Sequence, residues 1–142
     1  MHSYIHKVNY YETDKMGITH HSNYVRWMEE ARMDYLKSVG YSMRRLESDN
    51  ITSPVVSVKV KYEKTTTFDD EVRVDTFVEK YTGVRLEMSY VMTNLTTGEE
   101  AARGKSAHCF IDSSGRPIAV KKYFPDFDRI LTELAEERKK GL

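Results

Sequence analysis

The sequence contains one cysteine, three prolines and no net charge, and each shortage removes a class of protein. A single thiol, Cys109, cannot close an internal disulfide, so the fold must stand without covalent staples. Lys plus Arg and Asp plus Glu number 22 each, which removes the compositional argument for nucleic acid or an anionic membrane as the main partner. No run of about 18 apolar residues is present that could span a bilayer. The opening stretch MHSYIHKVNYYETD lacks the apolar centre and small-residue cleavage site of a secretory signal. A soluble cytoplasmic protein is therefore expected. The five histidines are scattered without a spacing such as H-E-x-x-H, so no metal and no cofactor is expected. The nucleophile-elbow pattern G-x-S-x-G is also missing, which removes the serine-hydrolase route. His108 and Cys109 are adjacent on a strand pattern and must point to opposite faces, so they cannot act as a nucleophile pair.

What remains is ordinary in amount and informative in arrangement. Hydrophobic residues at 39% over 142 positions suffice for one core, so residues 1–142 read as one domain. No internal repeat or linker interrupts it. A first strand is expected over Tyr4 to Tyr11. From Ser22 the period becomes helical: Tyr24, Trp27, Met28, Ala31, Tyr35 and Leu36 recur at three- and four-residue steps on one face. Arg26, Glu29, Glu30, Arg32 and Lys37 fall mostly off that face. Ser22 or Asn23 is placed to cap the helix and Gly40 to stop it. After a polar loop from Glu47 to Ser53, alternation by two takes over. It groups Val56, Val58, Val60 and Tyr62, then Val72, Val74, Thr76 and Val78, then Val84, Leu86, Met88, Tyr90 and Met92, and a last strand to about Ile111. A break at Ser113 to Pro117 precedes an amphipathic helix from Phe124 to Lys140. One long helix against an antiparallel sheet gives an α+β domain. The helix is too small to cover so wide a sheet, so an apolar edge or face is left for a partner chain.

The stretch that carries chemistry is YYETDKMGITHHSNYVRWMEEAR, from Tyr10 to Arg32. It reads as a strand end, a loop with a glycine, and a helix start. Unpaired amides and partial positive charge at a helix start can hold the oxygen that becomes negative when a carbonyl is attacked. Asp14, seven residues before His21, can turn back toward the same point. A carboxylate plus an oxyanion donor is the minimum for acyl transfer. An aspartate ahead of a glycine also forms Asx turns, and that plainer reading stands beside the chemical one. His21 has a plain reading as a capping or packing side chain, and Tyr10 as a strand aromatic.

The same stretch resembles the 4-hydroxybenzoyl-CoA thioesterase family of hotdog proteins, in its bacterial Tol-Pal-associated acyl-CoA thioesterase branch. The residues that carry the likeness are Tyr10, Thr13-Asp14, Gly17, His21, Tyr24, Trp27, Glu29 or Glu30, Ala31 and Arg32. FDDEVRVDTFVEK resembles the family's central strand, and HCFIDSSGRPIAV its last strand and following loop. The resemblance implies a hotdog fold, a five-stranded antiparallel sheet wrapped around one long central helix with a short C-terminal helix. It implies hydrolysis of acyl-CoA or acyl-ACP thioesters, with Asp14 as the catalytic carboxylate (nucleophile or base), the His21 backbone N–H as carbonyl donor, and Tyr10 lining the site. It also implies a homodimer at minimum and tetramers built of two such pairs.

The phosphates of CoA would seek cations, for which Lys59, Lys61, Arg85, Lys121 and Lys122 stand on strand ends or loops. Two other readings compete. A hotdog dehydratase acting on 3-hydroxyacyl thioesters would resemble H-F-P-x-x-P or D-x-N-P-x-H, and neither pattern is present. A non-catalytic acyl-thioester-binding protein would keep the pocket without turnover.

Overall fold

Alternation by two builds the sheet. In the computed structural model, which describes residues 1–141, five antiparallel strands lie in the order β1-β3-β4-β5-β2. They are β1 (His2–Lys7), β2 (Val55–Tyr62), β3 (Glu71–Tyr81), β4 (Arg85–Asn94) and β5 (Glu99–Cys109). Val72, Val74, Thr76 and Val78 of β3 are buried with Leu86, Met88, Tyr90 and Met92 of β4, as the sequence pattern requires. Cross-strand register carries this inner face on through Ala102, Gly104, Ser106 and His108 of β5 to Tyr62, Val60 and Val58 of β2.

Helix α1 (Ser22–Ser38) lies over that face, burying Tyr24, Trp27, Met28, Ala31, Tyr35 and Leu36. It meets β5 at Gly104. A Cβ added to Gly104 would stand 2.7 Å from Met28 Sδ, so the missing side chain is the notch into which the helix settles. The helix stops where expected. Gly40, at φ 90°, donates to Lys37 O, and the Tyr41 amide reaches back to Leu36 O at 2.9 Å, which is a Schellman closure.

The structure departs from the sequence reading in local places. β1 ends at Lys7, not Tyr11, because Tyr10–Glu12 turns as a single 3-10 turn. The expected loop from Glu47 overlaps a short helix, α2 (Met43–Ser48), capped by the Ser42 hydroxyl, which accepts from the Arg45 amide. Six residues with only Leu46 buried leave no period to detect. A bulge between Val55 and Ser57 takes Val56 out of the alternation. β5 stops at Cys109, and Ile111 keeps only isolated bridges to Thr52 and Pro117. Arg32 is the largest surprise. Expected off the apolar face, it is only 6% exposed beneath α1.

At the C-terminal end, α3 (Val120–Tyr123) and α4 (Pro125–Lys139) close the other side of the core with Phe127, Leu131 and Ala135. β1 pairs with β3 only between Glu71 and Thr76, and α4 packs along β3, where its side chains reach residues beyond that point. There Tyr81 donates to Asp128 Oδ1 at 2.6 Å and Arg138 to Glu79 Oε1 at 2.6 Å. β2, the opposite edge, is exposed along its length, with Val55, Val56, Val58 and Tyr62 all more than 40% accessible.

Filling the notch should be felt. Gly104→Val is expected to lower unfolding free energy by about 1–3 kcal/mol through overpacking against Met28, read as a drop in the urea midpoint with an unchanged slope.

Candidate active site

The loop that holds Asp14 is fixed from below by one buried acid. Glu12, 4% exposed, accepts from His6 Nε2 at 2.8 Å, the Asn9 amide at 2.7 Å and Trp27 Nε1 at 2.8 Å. Its own carbonyl accepts from the His20 amide at 2.8 Å and from Asn23 Nδ2 at 3.0 Å. One residue thus ties β1, the 3-10 turn, the far side of the loop and α1 together. Burial alone would raise its pKa, but the donors on Asn9, His6 and Trp27 outweigh it and hold the Glu12 carboxyl below the usual carboxylate range.

From Glu12 the chain forms a tight hairpin, with Thr13 bridged to Thr19 and the Asp14 amide bonded to Ile18 O at 2.9 Å. The segment ahead of β3 clamps its other side. The Thr19 amide donates to Thr66 O at 2.8 Å, the Thr19 and Thr66 hydroxyls share a 2.7 Å bond, and Thr67 Oγ1 donates to Gly17 O at 2.6 Å. Gly17 stands at φ 76°, which the turn requires.

Within this frame Asp14 makes the Asx turn that its sequence context allowed: Oδ1 accepts from the Met16 amide at 2.8 Å. Oδ2 has no hydrogen-bond partner among the described residues. The turn orients the carboxylate and leaves one oxygen free.

The helix start differs from the expected cap. His21 is the N-cap, in helical conformation and without a side-chain cap bond, while Ser22 and Asn23 lie inside the helix. The Asn23 amide donates to His20 O at 3.0 Å, and the Ser22 amide faces His20 Nδ1 at 3.3 Å. The His21 N–H is left without an acceptor among the described residues. Beside it opens a cleft of about 270 Å³ lined by Ile18, Thr19, His21, Tyr24, Tyr62 and Lys64. Tyr62 donates to His21 O at 3.0 Å, and its ring stands edge-on to Tyr24 at 5.2 Å.

The expected residues are therefore brought together in part. His21 lines the cleft, and Asp14 lies one rung away in the hairpin, opposite Ile18, without lining it. Tyr10 is 76% exposed and rests edge-on against Phe68 at 5.6 Å, outside the cleft. Lys59 and Lys61 sit on the outer sheet face across from Lys105 and Arg103. Arg85 pairs with Cys109, seven positions along β5 from the Tyr62 partner Ala102, or about 23 Å at strand rise. Lys121 lies near it, since the neighbouring Val120 amide bonds Gly83 O. Sequence reasoning passed over Glu12, Thr66, Tyr62 and Lys64. Glu12 stands two residues before Asp14, but nothing in a string of letters distinguishes a buried acid from a solvated one.

A hotdog sheet under one long helix, with an Asx-turn aspartate in the hairpin that leads into the helix and a cleft at the helix start, is the frame of an acyl-thioester-handling protein. The profile of the thioesterase-like superfamily matches residues 8–136, and the chain belongs to that superfamily. It is 35% identical over 122 residues to YneP of Bacillus subtilis, whose name carries acyl-CoA thioesterase as a provisional assignment, covering 85% of this chain and 88% of YneP. It is 27% identical to the acyl-CoA thioesterase YbgC of Haemophilus influenzae over 82% of this chain and 85% of YbgC. Among solved structures it superposes on a DHNA-CoA thioesterase from Staphylococcus aureus with a TM-score of 0.94 at 34% identity, covering 99% of this chain and 95% of the other.

The Glu12 hub has a pH signature. Because its folded pKa is lowered, its contribution is complete at neutral pH, above the unfolded value of about 4.3, and is lost as pH falls through the folded value. Glu12→Gln should be less stable than the parent at pH 7, and the gap should close on acidification. Urea melts of both proteins across that range read it out.

Proposed function

We propose that the protein hydrolyses acyl-CoA thioesters to the free acid and CoA thiol. The observation that carries this reading is that Asp14 Oδ2 and the His21 N–H, on the two sides of one short hairpin, both stand without a hydrogen-bond partner among the described residues. The thioester carbonyl would accept from the His21 amide, so that negative charge developing on oxygen meets a donor already in place, worth on the order of 3–4 kcal/mol. Asp14 then acts in one of two ways. As base it takes a proton from water while the water oxygen bonds to the carbonyl carbon; collapse of the adduct breaks the C–S bond, and the departing sulfur receives the proton. As nucleophile it forms an acyl-aspartyl anhydride that water opens in a second step. The thiolate is a good leaving group, so neither route needs a separate general acid.

The names of YneP, YbgC and the Staphylococcus aureus structure support acyl-CoA as substrate class, with acyl carrier protein the other possible thiol carrier. The Tol-Pal-associated branch is the finer placement and rests on the motif from Tyr10 to Arg32. A cytoplasmic location belongs to the same reading; among the described residues no helix is long and apolar enough to cross a membrane.

A second copy of the chain completes the site in this proposal. Tyr10, Tyr11 and Met16 around the Asp14 loop are each at least 75% exposed, more apolar surface than a finished active-site wall leaves in water. β2 offers a full-length unpaired edge. A homodimer joined at β2 is the minimum, with tetramers of two such pairs as the resemblance implies. Lys64, which lines the cleft, is a further candidate cation for the CoA phosphates. Lys59, Lys61, Arg85 and Lys121 remain candidates for a site finished by the second copy.

Asp14→Asn is expected to lower turnover at least a hundredfold while the circular dichroism and melt stay those of the parent. Thiol release across an acyl-CoA panel measures it; near-normal turnover in the folded variant would remove Asp14 from the mechanism. No thiol release from any acyl-CoA by the parent would favour a binding protein without turnover. Light scattering at micromolar concentration should give at least twice the chain mass, and a monomer would contradict the shared site.

A further inference from the structure

The His21 N–H shares one peptide group with the His20 carbonyl, and in a trans peptide the two point in opposite directions. Whatever holds the carbonyl therefore aims the N–H. Asn23 holds it twice, donating to His20 O from its main-chain amide at 3.0 Å and from its side-chain Nδ2 at 3.1 Å. The other hydrogen of Nδ2 goes to Glu12 O at 3.0 Å, and the side chain is buried.

The neighbouring peptides are held as well. On the one before, the His20 amide donates to Glu12 O at 2.8 Å. On the one after, the His21 carbonyl accepts from the Tyr62 hydroxyl at 3.0 Å and from the Tyr24 amide at 3.3 Å. The Tyr62 ring is steadied edge-on by Tyr24 at 5.2 Å and by the His21 ring at 6.3 Å. Every peptide group around His21 is thus pinned, while the His21 N–H itself has no acceptor among the described residues.

A helix start is ordinarily satisfied by a side-chain oxygen that accepts from its first amides. Here the N-cap residue makes no such bond, and the asparagine two positions on acts in the opposite sense, as a donor to carbonyls. Two donors on the His20 oxygen polarise the peptide and strengthen its N–H as a donor. They also fix its direction before any charge develops, which preorganised stabilisation of an oxyanion requires.

We propose that Asn23 and Tyr62 are positioning residues for the oxyanion donor: Asn23 aims and polarises the peptide that carries the His21 N–H, and Tyr62 locks the peptide that follows. The proposal rests on the thioesterase reading and deepens it by naming the side chains that act through that amide. Neither needs to touch the reacting atoms. Because Tyr62 stands on β2, it also ties the helix start to the strand with the open edge.

Two variants test it. Asn23→Leu removes both side-chain bonds in a neutral residue of similar shape, and the Glu12 and His20 carbonyls each keep a main-chain donor, so no buried acceptor is orphaned. Tyr62→Phe removes one hydroxyl. In thiol-release kinetics, Asn23→Leu should lower kcat about tenfold and Tyr62→Phe about threefold, with KM within about twofold of the parent's. A matched pair of CoA thioethers reads the same property as Kd without turnover. One carries a methyl ketone, the other a trifluoromethyl ketone whose carbonyl adds water or a carboxylate and becomes tetrahedral, as the thioester does in reaction. The parent should bind the trifluoromethyl member about tenfold tighter or more, and each variant should narrow that ratio while leaving the methyl ketone Kd within about twofold.

A folded variant with kcat and ratio unchanged overturns the role of its residue. An equal loss with both ketones, or a raised KM at full kcat, marks a general loosening of the helix start and overturns the proposal. Should Asn23→Leu not fold, an undiminished ratio in Tyr62→Phe overturns it. A parent that releases no thiol but prefers the trifluoromethyl ketone, with that preference narrowed in the variants, sinks the hydrolytic reading alone.

Discussion

The structure depends on the Glu12 carboxylate being satisfied out of water. An isolated buried carboxylate would cost several kcal/mol, and here it is held by an imidazole, an indole and a main-chain amide from three different parts of the chain. Each donor is also a positional constraint. Trp27 fixes the rotation of α1, His6 fixes β1, and the Glu12 carbonyl binds His20 and Asn23 on the far side of the loop. Asp14 and the His21 amide therefore inherit their positions from a group that need not touch substrate. Rigid support of this kind makes a small acid-and-amide pair useful, since misplacement by about 1 Å can lose a hundredfold in rate.

Much of this architecture was readable as letters. Periods of two and of three to four are enforced by burial, so β3, β4, most of β5 and the apolar face of α1 appeared at their true places. Gly40 announced the end of α1 because only a residue tolerant of positive φ closes a helix in that way. What failed was short or depended on distant partners. The six residues of α2 carry no detectable period, and the early end of β1 follows from Glu12 pulling the chain into a turn. Ser22 looked like a cap, yet His21 is the cap residue and the Asn23 side chain is spent on Glu12 and His20 carbonyls.

The site was legible in the same partial manner. Both readings of Asp14 coexist: one oxygen makes the Asx turn, and the other is left free. The His21 amide stands without an acceptor at the helix start, among the described residues. Arg32 escaped because a cation in a helix pattern is ordinarily solvated, and only the folded chain shows it 6% exposed. The candidate CoA cations follow from charge and from place on strand ends or loops, which carry no information about how far apart those ends lie in the sheet, and they scatter accordingly.

The two margins of the sheet are treated unequally. On one side β1 contributes six residues and α4 lies along β3 past it; on the other, eight residues of β2 are bare. Growth by strand addition is thus directional. In the proposed dimer, joined at β2 about a two-fold axis, the two long edges would use each other up and leave the short β1 edges at the ends of the joined sheet. The shortness of β1 would then guard against the indefinite ribbon that two long edges on one sheet invite.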